Sequence, residues 1–97
     1  MNKLYGIMCL WKGDKDMELL DTVQLMLSND YKERFQAEYF QTKIRYDKLK
    51  NMCKKWDNGE LDFEPTCDRS VYGSQLIAMC DYLKTLELRA EIEGIDL

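Results

Sequence analysis

Two apolar seams constrain this chain more than any other feature. Phe35, Tyr39, Thr42, Tyr46, Leu49, Cys53 and Trp56 are separated by alternating steps of four and three residues. Tyr72, Leu76, Met79, Leu83, Leu86 and Ala90 repeat the pattern. Such spacing puts side chains on one stripe of an α-helix, and a stripe this long needs a partner. The spacing therefore predicts two long helices, one from about Tyr31 to Trp56 and one from near Asp68 or Ser70 to about Glu93. Asp30 is a suitable N-cap for the first, with Glu33 at the capping-box position. Asp57-Asn58-Gly59 ends it, because Gly or Asn tolerates the left-handed cap. LDFEPTC, residues 61 to 67, reads as an extended connector with Pro65 ahead of the next helix. Two such helices joined by roughly a dozen residues predict an all-α fold, an antiparallel helical hairpin. MELLDTVQLML, residues 17 to 27, adds a short preceding helix with Leu19, Leu20, Val23 and Leu27 on one face.

The hairpin does not use every apolar residue. Phe40 and Ile44 lie roughly 140–180° from the first seam, and Ile77 and Leu88 are similarly far from the second. A chain of 97 residues makes one small domain with a thin core. Paired apolar groups outside that core predict a homo-oligomer with Phe40 and Ile44 at its interface. The organisation expected is an N-terminal extension over residues 1–16 and a helical domain over residues 17–97. Within the extension, KLYGIMCLW suits a short strand. Lys12 to Met17 back-translates into a purine-rich ribosome-binding sequence followed by a start codon, which makes Met17 a candidate translation start.

Charge narrows the function classes. The net charge is −4, which argues against coating DNA or RNA, where phosphate neutralisation supplies most of the affinity. Yet residues 31–55 hold eight Lys or Arg against three Asp or Glu. A locally basic helix in an acidic protein suits a compact anion, or is a solvated face balanced by acidic neighbours. The chain has no histidine, and its four cysteines, at positions 9, 53, 67 and 80, form no CxxC pair. No zinc or other metal site is expected, and no cofactor. There is no Gly-rich phosphate loop and no recognisable nucleophile–base pair, so an enzyme is not expected. No segment is long and apolar enough to span a membrane. Reduced cysteines are expected, with Cys53 and Cys80 as small core hydrophobes.

Polar residues also form strips. Gln75, Tyr82 and Arg89 are seven apart and share one flank of the last helix. Arg34, Glu38 and Arg45 line a flank of the first long helix, with Tyr31 just before them. Arg34 and Glu38 have the i,i+4 spacing of a modest surface ion pair. The alternative use is ligand recognition, with guanidinium for a phosphate and a ring for a base.

DYKERFQAEYFQTKIRYDKLKNM, followed by a turn and SQLIAMCDYLKTLELRAEI, resembles a family of small phage proteins. These are the cyclic-oligonucleotide sponges that counter CBASS immunity; a related hairpin domain occurs in one class of anti-Thoeris sponge. The shared elements are Tyr31, Glu33 and Arg34, then Lys48 and Leu49, then Gln75, Leu76, Ala78, Met79, Tyr82, Leu86 and Arg89. The resemblance covers about residues 17–97. It implies a compact helical hexamer that binds immune second messengers between protomers without altering them. The implied ligands are cyclic dinucleotides and, at a separate site, cyclic trinucleotides, with cyclic ADP-ribose isomers for the anti-Thoeris relatives. The implied setting is the cytoplasm of an infected bacterium. Carried onto this sequence, Tyr31 stacks on or covers a base of the dinucleotide. Arg34 is a phosphate contact, and the further basic partner is one of Lys43, Arg45 and Lys48. Gln75, Tyr82 and Arg89 form the candidate second site.

Two other classes compete. A helical interaction module, such as a phage adaptor or an inhibitor of a host protein, would use the Phe40/Ile44 face. A small DNA-binding regulator is disfavoured by the acidic charge and the lack of a helix-turn-helix pattern.

Overall fold

The computed structural model describes residues 17–97, so expectations placed on residues 1–16 fall outside it. Among the described residues the fold is all-helical with no strand. A single 3₁₀ turn, Leu19–Thr22, leads into the one-turn helix α1, Val23–Met26. Two long helices follow, α2 over Tyr31–Asp57 and α3 over Arg69–Glu93.

Local chemistry sets these boundaries. The Asp30 carboxylate accepts the Lys32 N–H at 3.0 Å, which satisfies one of the orphan donors at the start of α2. Glu33 adds negative charge to that first turn. Asp68 does the same capping for α3, accepting the Ser70 N–H at 3.1 Å. Both long helices run out into a glycine at φ +73°, Gly59 and Gly94, a left-handed conformation that costs glycine little. After Gly94 the chain folds back, and the Ile95 N–H donates to the Ala90 carbonyl at 2.8 Å. Ile95 is thereby buried against the end of α3.

The two predicted seams face inward. Phe35, Tyr39, Tyr46 and Cys53 of α2 are buried, as are Leu83, Leu86 and Ala90 of α3. Leu76, Met79 and Cys80 pack half-buried against them. Tyr31 meets Arg89 and Glu93, Tyr39 meets Glu87, Trp56 meets Tyr72 and Asp57 meets Arg69. Partner numbers fall along α3 as they rise along α2, so the helices run in opposite directions. Cys53 is a buried free thiol, as expected, and Cys67 is free and exposed. Cys80 is not a free thiol, so the reduced state expected for it does not hold.

The opposite face of α2 meets the N-terminal turns. The 3₁₀ turn and α1 pack against α2, and Ala37 there is buried. The Gln41 amide donates to the Thr22 hydroxyl at 2.9 Å, and Thr22 in turn donates to the Leu19 carbonyl at 2.7 Å. Thr22 is fully buried, while Leu20 and Leu27, expected on the inner face, are 79% and 72% exposed. The reason is geometric. A 3₁₀ turn has three residues per turn, so Leu19 and Thr22 align inward and Leu20 turns outward. Phe40 and Ile44 are consequently half-buried within the chain, Phe40 edge-on to Tyr39 at 5.4 Å. The more exposed large apolar groups of the long helices sit on α3, where Ile77, Leu88 and Ile92 share its outer face.

The core also holds polar groups. Lys43 is only 3% exposed; its ammonium lies 3.5 Å from Asp47 and over the Tyr46 ring. Burial lowers its pKa, and Asp47 opposes that shift. The Tyr39 hydroxyl donates to Glu87 at 2.5 Å, and burial together with that carboxylate raises the Tyr39 pKa.

Leu86→Ala is expected to destabilise the chain by about 2–4 kcal/mol, because Leu86 is fully buried and its removal leaves a cavity in the core. Lys43→Ala is expected to cost about 1–3 kcal/mol through the stranded Asp47 carboxylate and lost packing on Tyr46. Urea unfolding of each variant against the wild type checks both.

Candidate functional site

The open end of the helix pair is where α2 begins and α3 finishes. Opposite direction and seam register bring residue 31 beside residues 89 and 93 there. Tyr31, the first residue of α2, donates its hydroxyl proton to Glu93 Oε1 at 2.8 Å. Arg89 donates from Nη2 to the Tyr31 hydroxyl at 2.8 Å and from Nε to Glu93 Oε2 at 3.2 Å. The Arg89 guanidinium also lies 4.9 Å from the centre of the Phe35 ring, within cation–π range. Tyr31 meets the same ring edge-on at 6.2 Å. Two further bonds close this end: Lys32 Nζ to the Gly94 carbonyl at 3.4 Å, and the Gln36 amide to the Asp96 carbonyl at 2.8 Å.

The electrostatics fix the charge states. The hydrogen bond to Glu93 raises the Tyr31 pKa, so its hydroxyl keeps its proton at neutral pH. Hydrogen bonds from Tyr31 and Arg89 hold Glu93 below the usual carboxylate range. Glu93 and Tyr31 together raise the Arg89 pKa. The cluster is therefore a guanidinium, a carboxylate and a neutral phenol, on the surface and backed by a buried aromatic ring. It offers planar donors for an anion beside a ring that can stack.

The other sequence-predicted residues are dispersed. Glu38 of α2 accepts a short hydrogen bond from the Tyr82 hydroxyl of α3. The two polar strips thus face each other along one edge of the helix pair, Tyr31 opposite Arg89 and Glu38 opposite Tyr82. Arg34 does not pair with Glu38 but donates to the Ser28 carbonyl at 2.9 Å, bracing the turn before α2. Gln75 is exposed, its amide within 3.8 Å of the Met79 sulfur. It lies about 21 Å along the helix from Arg89, too far for a shared compact ligand within one chain. Lys43 is buried and engaged with Asp47, so a surface ligand does not reach it. Arg45 is exposed. Lys48 stands 3.9 Å from Glu18 and lines a separate groove of about 330 Å³ with Asn51, Met52, Lys55, Leu61 and Phe63.

Tyr31 and Arg89, which the sequence places in two different sites, are hydrogen-bonded neighbours in the folded chain. Sequence reasoning assigned Phe35 to the core and gave Glu93 no role. The Tyr31–Phe35 and Arg89–Glu93 spacings of four were visible, but only the register of α2 on α3 joins the pairs. No group of three or more potential metal-ligating side chains comes together among the described residues, and no described helix is long and apolar enough to cross a membrane.

No curated protein and no solved structure is significantly similar to the chain. Residues 29–92 match the Sequestin family, a span that takes in α2, the connector and nearly all of α3, with Tyr31 and Arg89 inside it. The match agrees with the sponge-family resemblance carried by Tyr31, Arg34, Gln75 and Arg89. Since it covers more than half of its length, the chain belongs to the Sequestin family.

Proposed function

We propose that this chain is a phage-encoded sponge that binds cyclic oligonucleotide second messengers and holds them unchanged in the cytoplasm of the infected bacterium. Cyclic dinucleotides are the first candidates, with cyclic trinucleotides or cyclic ADP-ribose isomers as further ligands. Lowering the free messenger by mass action keeps the host effector inactive. Membership of a family named for sequestration supports the capture role. The Tyr31–Phe35–Arg89 cluster is the observation that carries the reading to a ligand with both phosphate and base. Arg89 has the planar donors for a phosphodiester, and Tyr31 has the exposed ring for a base.

A hairpin of α2 and α3 is the assembling unit in this proposal. Its surfaces for a second copy are the outer α3 stripe of Ile77, Leu88 and Ile92, together with the half-exposed edges of Phe40 and Ile44. A hexamer would place the Tyr31 end of one chain beside another chain, where Lys48, Arg45, Gln75 and Tyr82 could come from neighbours. The same exposed stripe also suits the competing reading, a helical module that docks on a host protein.

Arg89→Ala is expected to weaken cyclic dinucleotide binding about 10- to 100-fold, and Tyr31→Ala several-fold, with the thermal midpoint of each variant measured to separate lost binding from loss of the Arg89–Phe35 and Tyr31–Glu93 contacts. Because the two side chains touch, the double variant is expected to lose less than the product of the single losses. Titration calorimetry across the three ligand classes, with chromatography of heat-released ligand, checks binding and the absence of cleavage. If no ligand in the panel binds, the sponge reading is wrong. Light scattering is expected to give about six times the 11.6 kDa chain mass. Ile77→Asp is expected to lower that mass, while a wild-type monomer would favour the docking module.

A further inference from the structure

Glu93 is the anion held by Tyr31 and Arg89. Its two oxygens accept from the Tyr31 hydroxyl and from Arg89 Nε, while Arg89 Nη2 closes onto the same hydroxyl. A phosphate presents two oxygens to a guanidinium in much the same way as a carboxylate.

Glu93 is also poorly placed for its own helix. It is the last residue of α3, at the negative end of the helix dipole, in a turn with no basic residue. The helix does not need it as a stop, since Gly94 in the left-handed conformation and the Ile95–Ala90 bond already end α3. The closure of the two helix ends has other support: the Arg89–Phe35 stack, the Gln36–Asp96 bond and buried Ile95. A side chain that breaks a local rule without a structural need marks a functional position.

We infer that Glu93 is a tethered anion that fills the phosphate position of the empty site and has to leave before a ligand phosphate reaches Arg89. The inference rests on the sponge reading and adds a specificity-determining residue to it. A carboxylate four residues from Arg89 on the same helix acts at high effective concentration. Small free anions, which gain only the guanidinium contact, compete poorly with it. A cyclic dinucleotide displaces it because stacking on Tyr31 adds to the phosphate contact. The cell's abundant inorganic phosphate is thereby kept out of a site meant for a scarce messenger.

The test is calorimetry of full-length wild type and Glu93→Gln with cyclic di-GMP, cyclic di-AMP and inorganic phosphate. Gln keeps the size and one acceptor but removes the charge. Glu93→Gln is expected to bind the same cyclic dinucleotide as the wild type about two- to fivefold tighter, the range of an exposed ion pair. It is also expected to lose discrimination against inorganic phosphate. Equal or weaker dinucleotide binding by Glu93→Gln, at an unchanged thermal midpoint, overturns the inference and leaves the sponge reading standing. Binding of neither cyclic dinucleotide by either form overturns this inference, and the sponge reading is then decided by the full three-class ligand panel. A measurement on wild type covers the case of a variant that does not fold. The ¹³C resonance of the Glu93 side-chain carboxyl is expected to shift as cyclic dinucleotide saturates the protein, and an unmoved resonance overturns the inference.

Discussion

Burial of Phe35, Tyr39 and Tyr46 of α2 against Leu83, Leu86 and Ala90 of α3 sets the register of the two long helices, and register determines which surface residues meet. With Phe35 at 3% exposure and Leu86 at 1%, a slip of one turn would leave a large ring or a leucine in water. The register that avoids this cost brings the first residue of α2 opposite the last turn of α3. The Tyr31–Arg89–Glu93 cluster therefore follows from core packing and needs no dedicated loop. Phe35 has two roles in it. One side of the ring closes the core, and the guanidinium of Arg89 rests on the ring from the solvent side.

The parts of the fold governed by local rules were legible in the sequence. The seams, the Asp30 cap and the Asp57-Asn58-Gly59 stop depend on residues at most four apart, and each is where the pattern put it. The short N-terminal segment was misread because its apolar residues were tested against a period of 3.6. The chain takes a 3₁₀ turn there, and buried Thr22 replaces Leu20 as the inward group. Lys43 was misjudged for another reason. Lysines usually keep their ammonium in water, so a lysine on a basic helix looks like a ligand contact. Only the packed structure shows Asp47 and the Tyr46 ring receiving it.

The candidate site was half legible. Tyr31 and Arg89 were both singled out, from spacing and from the sponge-family resemblance, but as members of separate sites. They are 58 residues apart in sequence, and no pattern within either helix connects them. Glu93 carried no signal, because an i,i+4 Arg–Glu pair at a helix end reads as an ordinary surface contact. Its significance comes from Tyr31, which supplies a second donor from another helix and turns a surface pair into a shaped anion position.

On the sponge reading, this arrangement bears on how an acidic protein can hold an anionic ligand. The long-range field of a net charge of −4 repels an anionic ligand, so affinity has to come from contact. Of the eight cations of α2, five are held by neighbours: Lys43 by Asp47, Arg34 by the Ser28 carbonyl, Lys48 near Glu18, Lys32 by the Gly94 carbonyl and Lys50 over the Tyr46 ring. Arg89 of α3 is paired as well, but its partner is a carboxylate at a helix terminus. On the sponge reading, exchanging that carboxylate for a phosphodiester leaves the guanidinium paired throughout. Binding then depends on what the ligand adds beyond the exchanged anion, which here is a base against the Tyr31 ring. On the sponge reading, discrimination rests on that stacking surface, and the charge provides orientation.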